Sequence, residues 1–136
     1  MANLTADRSS LKKDGKLISL PLKANAVIYK GALTCVNAGY LIRGASAANN
    51  AFTGVAYEKV DNTGGADGAK SGRVETDGTH VFTGDGAAAD LGKEMYISDD
   101  QTVTKDAPAN GVKCGRLVEV PAAGVNRIKI DGYALA

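Results

Sequence analysis

Side chains that could perform catalysis are few in this 136-residue chain, and none has catalytic spacing. His80 is the one histidine, and it stands between Thr79 and Val81 in a stretch that predicts a strand. A general base needs a nucleophile or an orienting acid beside it, and the sequence has no Gly-x-Ser-x-Gly motif. We therefore predict no catalytic residue and no enzymatic activity.

Several acidic and amide side chains in predicted turns could each offer an oxygen ligand to a cation. None follows the Asp-x-Asp-x-Asp-Gly spacing with a closing glutamate that a calcium loop requires. Two cysteines and one histidine are too few for a zinc site. We expect solvated turn residues, no metal and no cofactor. The residues are Asp61, Asn62, Asp67, Asp77, Asp85, Asp99 and Asp100.

Residues 64–71 (Gly-Gly-Ala-Asp-Gly-Ala-Lys-Ser) superficially match a phosphate-binding loop. That motif needs glycine directly before Lys-Ser, and here Ala69 intervenes. It also needs a helix to follow, whereas residues 73–75 predict a strand. The sequence therefore predicts no nucleotide site, and residues 61–71 are its most flexible-looking loop.

Cys35 and Cys114 each lie inside an apolar run. A buried cysteine behaves as a small hydrophobic residue, and cytosolic thiols stay reduced. We predict two reduced thiols in the core.

Composition favours a β protein with many turns. The chain has 17 glycines, no tryptophan and a net charge of +1. Basic residues are scattered among acidic ones, which argues against a nucleic-acid partner. No apolar run approaches the ~20 residues of a membrane span, and no signal-peptide pattern begins the chain. We expect a soluble, non-secreted protein without a membrane partner.

The densest β-forming cluster of the second half is Met95-Tyr96-Ile97, within residues 91–104. Those residues predict a hairpin, and residues 84–90 predict one short helical turn before it. Ala38-Gly39 predicts a tight hairpin turn. Residues 52–60 predict one strand with alternating faces, and residues 121–124 predict a turn. Asp77-Gly78 fits either a type I′ turn or a glycine bulge in one long strand.

These patterns predict roughly nine or ten short strands in an all-β barrel or sandwich, with at most one or two helical turns. The other predicted strands cover residues 16–22, 27–29, 33–37, 40–43, 73–83, 112–120 and 125–130. In the last strand, apolar Ile128 and Ile130 alternate with charged residues. No repeat of about 20–50 residues is visible.

Residues 1–15 are polar and predict a flexible N-terminal arm before a single β domain over residues 16–136. Two interpretations of the arm stay open. It is either a frayed terminus or a segment that orders only against a neighbouring subunit.

Several short sequence motifs follow one another in a characteristic order along residues 16–131. They are residues 30–36 (Lys-Gly-Ala-Leu-Thr-Cys-Val), 39–41 (Gly-Tyr-Leu), 54–56 (Gly-Val-Ala), 78 (Gly), 91–97 (Leu-Gly-Lys-Glu-Met-Tyr-Ile), 103–104 (Val-Thr), 114–120 (Cys-Gly-Arg-Leu-Val-Glu-Val) and 128–131 (Ile-Lys-Ile-Asp). In this order they resemble the small head-decoration, or capsid-cement, proteins of tailed bacteriophages.

The resemblance implies a non-enzymatic β protein that binds the outer surface of an icosahedral head and stabilises it. The implied partner is the major capsid protein, the implied assembly a homo-dimer or homo-trimer, and the implied location the virion surface after assembly in the host cytoplasm. The implied capsid-binding arm contains Leu4, Arg8, Leu11, Lys12 and Lys13. The alternative is a carbohydrate- or host-binding β module of a tail or fibre, which would need exposed aromatic residues on one face.

Overall fold

The computed structural model describes residues 2–9 and 16–130, and the all-β prediction is confirmed. The described residues form twelve strands and one short 3-10 helix. In chain order they are β1 (Leu17–Pro21), β2 (Val27–Ile28), β3 (Leu33–Asn37), β4 (Tyr40–Arg43), β5 (Ala51–Ala56), β6 (Val60–Asp61), β7 (Ser71–Glu75), β8 (Thr79–Gly84), the 3-10 helix (Ala88–Asp90), β9 (Glu94–Asp99), β10 (Thr102–Thr104), β11 (Lys113–Ala122) and β12 (Val125–Ile130).

The strands form two main assemblies, one in each half of the chain. The first half, residues 17–75, forms a five-stranded sheet in the order β1-β7-β5-β3-β4. A parallel bridge from Leu22 to Leu41 brings its two edges together. The second half, residues 79–130, forms a closed five-stranded barrel that β8 and β10 close in parallel. β2 and β6 form a separate pair.

The two halves have the same topology. The strands correspond in chain order: β1, β3, β4, β5 and β7 match β8, β9, β10, β11 and β12. The sheet order β1-β7-β5-β3-β4 then corresponds to β8-β12-β11-β9-β10, which is the order around the barrel. The bridge from Leu22 to Leu41 then corresponds to the parallel pair of Gly84 and Val103 that closes the barrel.

Individual residue pairs repeat as well. Thr34 faces Gly54 in the first half, and Met95 faces Gly115 in the second, each beside a β-bulge. Both members of the pair shift by 61 positions, from 34 to 95 and from 54 to 115. The left-handed residues Gly31 and Asn49 recur at the same offset as Gly92 and Asn110. The chain therefore contains an internal structural repeat in which matching residues are 61 positions apart.

The repeated glycines allow close backbone contact between strands. Gly54 and Gly115 have φ angles of 153° and 157°, which L side chains rarely adopt. A Cβ atom on Gly54 would lie 2.2 Å from the carbonyl oxygen of Glu75. A Cβ atom on Gly115 would lie 2.1 Å from the carbonyl oxygen of Lys129. Only glycine fits at either position.

The interiors of the two halves place the large and the small residue of one contact on opposite strands. In the first half the side chain of Leu22 lies against Gly72, where an added Cβ would be 3.2 Å from Leu22 Cδ1. At the matching positions of the second half, Gly84 lies against Asn126, and an added Cβ on Gly84 would be 2.1 Å from Asn126 Oδ1. The same space is thus filled from opposite strands.

One apolar cluster joins the halves. It packs Leu33, Cys35, Phe52 and Val55 of the first half with residues of the second, including Met95. A second cluster, built around Leu22, Leu41 and Val74, belongs to the first half. Backbone bonds add to the junction, since the Leu33 N–H donates to the Asp100 carbonyl at 2.8 Å.

Locally specified elements match the predictions. Ala38 and Gly39 have φ angles of 51° and 88°, as a type I′ turn requires, and β3 pairs with β4 across them. β9 and β10 form the predicted hairpin, and the 3-10 helix is the predicted helical turn. Ile128 and Ile130 are fully buried while Lys129 is exposed.

The prediction of one alternating strand over residues 52–60 is wrong. β5 ends at Ala56 and β6 begins at Val60. Residues 52–56 are all buried because both faces of β5 are covered. One face packs inside the first half, and the other packs against the apolar cluster that joins the two halves.

Two predicted turns also differ from the structure. Asp77-Gly78 is neither a hairpin turn nor a bulge, since β7 pairs with β1 and β5 whereas β8 pairs with β12 and β10. It is the corner between the two halves. β11 continues through Pro121 to Ala122, so the closing turn is shorter than predicted.

Replacing Gly115 by alanine tests the close backbone contact. We expect Gly115→Ala to lower the free energy of unfolding by at least about 2 kcal/mol, because the new Cβ displaces the Lys129 carbonyl. Gly124→Ala is the matched control, because Gly124 has a φ of 76° and nothing within 4 Å, so only about 1 kcal/mol of backbone strain is expected. Urea unfolding measures both, and equal losses would contradict the interpretation.

Candidate interaction surface

The predicted arm lies in solvent where the structure describes it. Residues 2–9 are all exposed, form no strand, and leave Leu4 71% exposed. Arg8 is exposed as well. Leu11, Lys12 and Lys13, the other predicted arm residues, lie outside the described residues.

His80 holds the corner between the halves. Its Nε2 atom lies 3.6 Å from Glu75 Oε2, at the end of β7, and 3.3 Å from the Asp77 carbonyl oxygen. These contacts tie β8 to the strand before it. Among the described residues, no three His, Cys, Asp or Glu side chains come together as a possible metal site.

The loop of residues 61–71 is fixed by hydrogen bonds, contrary to its flexible-looking composition. The Asn62 amide Nδ2 donates to the carbonyls of Lys23 and Ala66, at 2.9 and 3.1 Å. The Ala24 N–H donates to Asp67 Oδ1 at 2.8 Å. The phosphate-loop resemblance has no structural counterpart, because Ser71 begins strand β7 and no helix follows.

Asn62 itself is almost fully buried, and its Oδ1 atom has no hydrogen-bond partner among the described residues. A Cβ on Gly65 would lie 2.0 Å from that oxygen, so the oxygen packs against the Gly65 backbone. Asn126, also buried, pairs both ends of its amide with the backbone of Gly86. The prediction that Asn62 is a solvated turn residue is wrong, because the tertiary fold buries it. Sequence reasoning did not single out Asn126, which is buried for the same reason.

Asp90 anchors the 3-10 helix. Its Oδ2 accepts the Ala87 N–H at 2.9 Å, and its carboxylate lies 3.4 and 3.6 Å from the ammonium groups of Lys93 and Lys105. The hydrogen bond from the Ala87 N–H is the largest cause that lowers the pKa of this carboxyl, and the two lysines lower it further.

Cys35 and Cys114 are free, buried thiols, as predicted. Burial raises the pKa of both, and that of Cys114 reaches about 12. Both thiols therefore stay protonated at neutral pH.

Exposed apolar side chains line separate grooves. Leu17 and Tyr57, 39% and 43% exposed, border a groove of about 410 Å³ together with Thr79 and His80. Val81, 45% exposed, borders a second groove of about 330 Å³ with Phe82 and Val125.

The exposed tyrosines do not form one aromatic face. Tyr29 borders a third groove and carries the Lys59 ammonium 5.1 Å from its ring centre. The Arg73 guanidinium lies 5.0 Å from the Tyr57 ring centre. Phe52 and Phe82 are buried.

The outer edge of β8 has a strand partner along only part of its length, as far as the described residues show. The Ile130 N–H donates to the Gly78 carbonyl and the Gly84 N–H to the Gly124 carbonyl, so the even-numbered residues of β8 bond to β12. The backbone groups of Thr79 and Val81 point the other way. β10 begins only beside Thr83, whose N–H donates to the Gln101 carbonyl. The edge at Thr79 and Val81 therefore lacks a strand partner among the described residues.

Comparisons with protein-family models, with curated proteins and with solved structures find no match for this chain. In the described part of the chain, no helix has the length and apolar character needed to span a membrane.

The burial of the two thiols predicts their chemical reactivity. At pH 8 we expect a disulfide reagent such as DTNB to titrate no thiol in the folded protein and two after denaturation. Leu91→Cys, at a position that is 53% exposed, is the positive control and should react at once. A rapid reaction of the unaltered protein would contradict the buried arrangement.

The lowered pKa of Asp90 predicts a pH-dependent contribution to stability. Its carboxylate stabilises the fold above the ordinary pKa of 3.8, and this stabilisation is lost as the pH falls through the lower value of the folded state. We expect Asp90→Asn to melt below the unaltered protein at pH 7, by a gap that shrinks below pH 3.8. Asp106→Asn, at an exposed position, is the control, and a pH-independent gap for Asp90→Asn would contradict the prediction.

Proposed function

We propose that this chain is a decoration, or cement, protein that binds the outer surface of an icosahedral phage head and stabilises it. The main supporting observation is the combination of a wholly exposed segment, residues 2–9, with a firmly packed β body. A body of this kind keeps its surface in a fixed shape, and an exposed segment of this kind can pair with another protein.

The residues that carry the family resemblance lie at structurally constrained positions. Gly31 and Gly92 are the second residues of matching motifs and have φ angles of 84° and 89°. Gly54 and Gly115, in two other motifs, make the close backbone contacts. The resemblance therefore rests on residues that this fold needs, which supports its use as a guide to the protein class.

Many weak contacts are sufficient for such a function. Once one copy of an assembly binds the shell, the remaining contacts form at high effective concentration, so dissociation becomes slow. The surface suits broad protein contact, because its charges are interspersed in local pairs such as Arg73 with Glu58 and Lys113 with Glu94.

Co-sedimentation with empty, expanded heads of the corresponding phage tests the function. We expect the full chain to pellet with the heads and to raise the temperature at which they rupture. Failure of the full chain to bind would reject the decoration function. A chain lacking residues 1–15 should fold, as judged by circular dichroism, and no longer pellet. If it still pellets, the decoration function survives and the arm is rejected.

A point variant tests the arm more finely. We expect Leu4→Asp to weaken binding to heads about tenfold or more, because it removes one apolar side chain from the contact and adds a charge. Leu91→Asp is the matched control at an exposed leucine of the body, and it should bind like the unaltered chain. Equal effects of the two variants would contradict a specific role of the arm.

A further inference from the structure

We propose that a groove between the two halves, the junction groove, binds an acidic segment of a partner protein, and that Lys30 and Arg43 recognise its carboxylates. Residues 29–32, Arg43, Asp100 and Gln101 line this groove, and its volume is about 430 Å³. The inference rests on the proposed function only for the source of the segment, which under that function is the shell protein.

Both halves of the chain build the junction groove, and hydrogen bonds fix its walls. One wall is residues 29–32, a tight turn in which the Ala32 N–H donates to the Tyr29 carbonyl at 3.1 Å. The other wall is the turn between β9 and β10. The Leu33 N–H, beside the first wall, donates to the Asp100 carbonyl in the second at 2.8 Å. Such a preformed groove loses little conformational freedom when a ligand binds.

The junction groove carries an excess of positive charge. Lys30 and Arg43 are exposed at its border, whereas Asp100 is only half-exposed there. The Lys59 ammonium lies nearby, 5.1 Å from the centre of the Tyr29 ring. In the described part of the chain, none of these three cations forms a salt bridge, although other exposed cations do. The charge that complements this groove is therefore negative and comes from another molecule.

Arg43 is positioned to bind a carboxylate through two hydrogen bonds. Its Nε donates to the Val27 carbonyl at 3.3 Å, which ties the guanidinium to β2. The side chain is exposed, and the fold described for this chain gives its two terminal nitrogens no acceptor. The planar guanidinium matches a carboxylate in shape, so these two nitrogens can bind both carboxylate oxygens.

The junction groove continues into a second, more apolar groove. Gly31 and Gln101 border both it and the groove of about 330 Å³ that Val81 and Val125 line. Val81 is 45% exposed. A segment with its carboxylates at Arg43 can therefore extend over Gly31 and cover Val81 with an apolar side chain. A polypeptide offers both kinds of group, which favours a protein segment over a small anion.

Peptide binding tests the groove without heads. The probe is the capped peptide Ac-Asp-Glu-Gly-Gly-Val-Leu-NH2, and Ac-Asn-Gln-Gly-Gly-Val-Leu-NH2 is the neutral control. We expect the acidic peptide to shift the amide NMR signals of Gly31, Arg43 and Gln101 with a millimolar dissociation constant, and the control to bind about tenfold more weakly. Equal binding of the two peptides, shifts confined to other surfaces, or no shifts would overturn the proposal.

An oligonucleotide distinguishes a protein segment from a general polyanion. We expect single-stranded oligothymidylate to bind the groove more weakly than the acidic peptide, because its phosphates lack the apolar side chain that the second groove accepts. Tighter binding of the oligonucleotide at the same residues would overturn the choice of a protein partner.

Charge reversal tests the role of Arg43. We expect Arg43→Glu to weaken binding of the acidic peptide about tenfold or more, because it replaces an attraction by a repulsion. Lys129→Glu, at an exposed position of β12 outside both grooves, makes the same change in net charge and should bind normally. Equal losses would indicate attraction to net charge alone and would overturn the site.

The internal repeat supplies a matched pair of variants that fills the groove. Gly31 and Gly92 have φ angles of 84° and 89°, and an added Cβ on either meets nothing within 4 Å. Asparagine tolerates such angles, as Asn49 and Asn110 do in this fold. We expect Gly31→Asn to weaken peptide binding about fivefold or more and Gly92→Asn to leave it unchanged. Equal effects would contradict the location of the site.

Co-sedimentation with heads separates this proposal from the decoration function. We expect Arg43→Glu and Gly31→Asn to weaken binding of the chain to heads, and Gly92→Asn to bind normally. Equal binding of Arg43→Glu and the unaltered chain would overturn the shell protein as the source of the segment. A chain that binds heads but not the acidic peptide keeps the decoration function and loses the groove. A chain that binds the peptide at the groove but not heads keeps the groove and loses the decoration function.

Discussion

Close backbone contacts at Gly54 and Gly115 determine how the strands pack in both halves. Each glycine allows a strand to pass beside a carbonyl at a distance that excludes any side chain. Small barrels of short strands need such points, because their strands turn sharply to close on themselves. The adjacent bulges then set the register of the neighbouring strands in both halves.

Around this shared constraint the two interiors are filled differently. The Thr34 hydroxyl bonds to the Thr53 hydroxyl at 2.9 Å inside the first half. The matching positions of the second half hold Met95 and Cys114, whose thiol lies 3.5 Å from the Met95 carbonyl oxygen. A polar pair and an apolar pair thus occupy equivalent places, each with its donors satisfied. The backbone is repeated, while the side chains are not.

The sequence could predict features that neighbouring residues determine, but not features that depend on residues distant in the chain. Short-range features were predictable because their own residues determine them: Ala38-Gly39 adopts the φ angles of its turn, and Ile128 and Ile130 alternate with charged neighbours. The repeat was not, because its sequence trace is a few glycines and asparagines at a long offset. Burial of residues 52–56 on both faces and the ordering of residues 61–71 depend on partners distant in the chain. The lack of a strand partner for Val81 among the described residues depends on where β10 begins, which the local sequence does not determine.

The separate apolar cluster of the first half has a consequence for the order of folding. Leu22, Leu41 and Val74 all lie within the first 75 residues, so that core can form while the rest of the chain is still being synthesised. The barrel of the second half packs against Leu33, Cys35, Phe52 and Val55. An N-terminal unit that forms first would offer this apolar surface to the C-terminal unit as that unit leaves the ribosome.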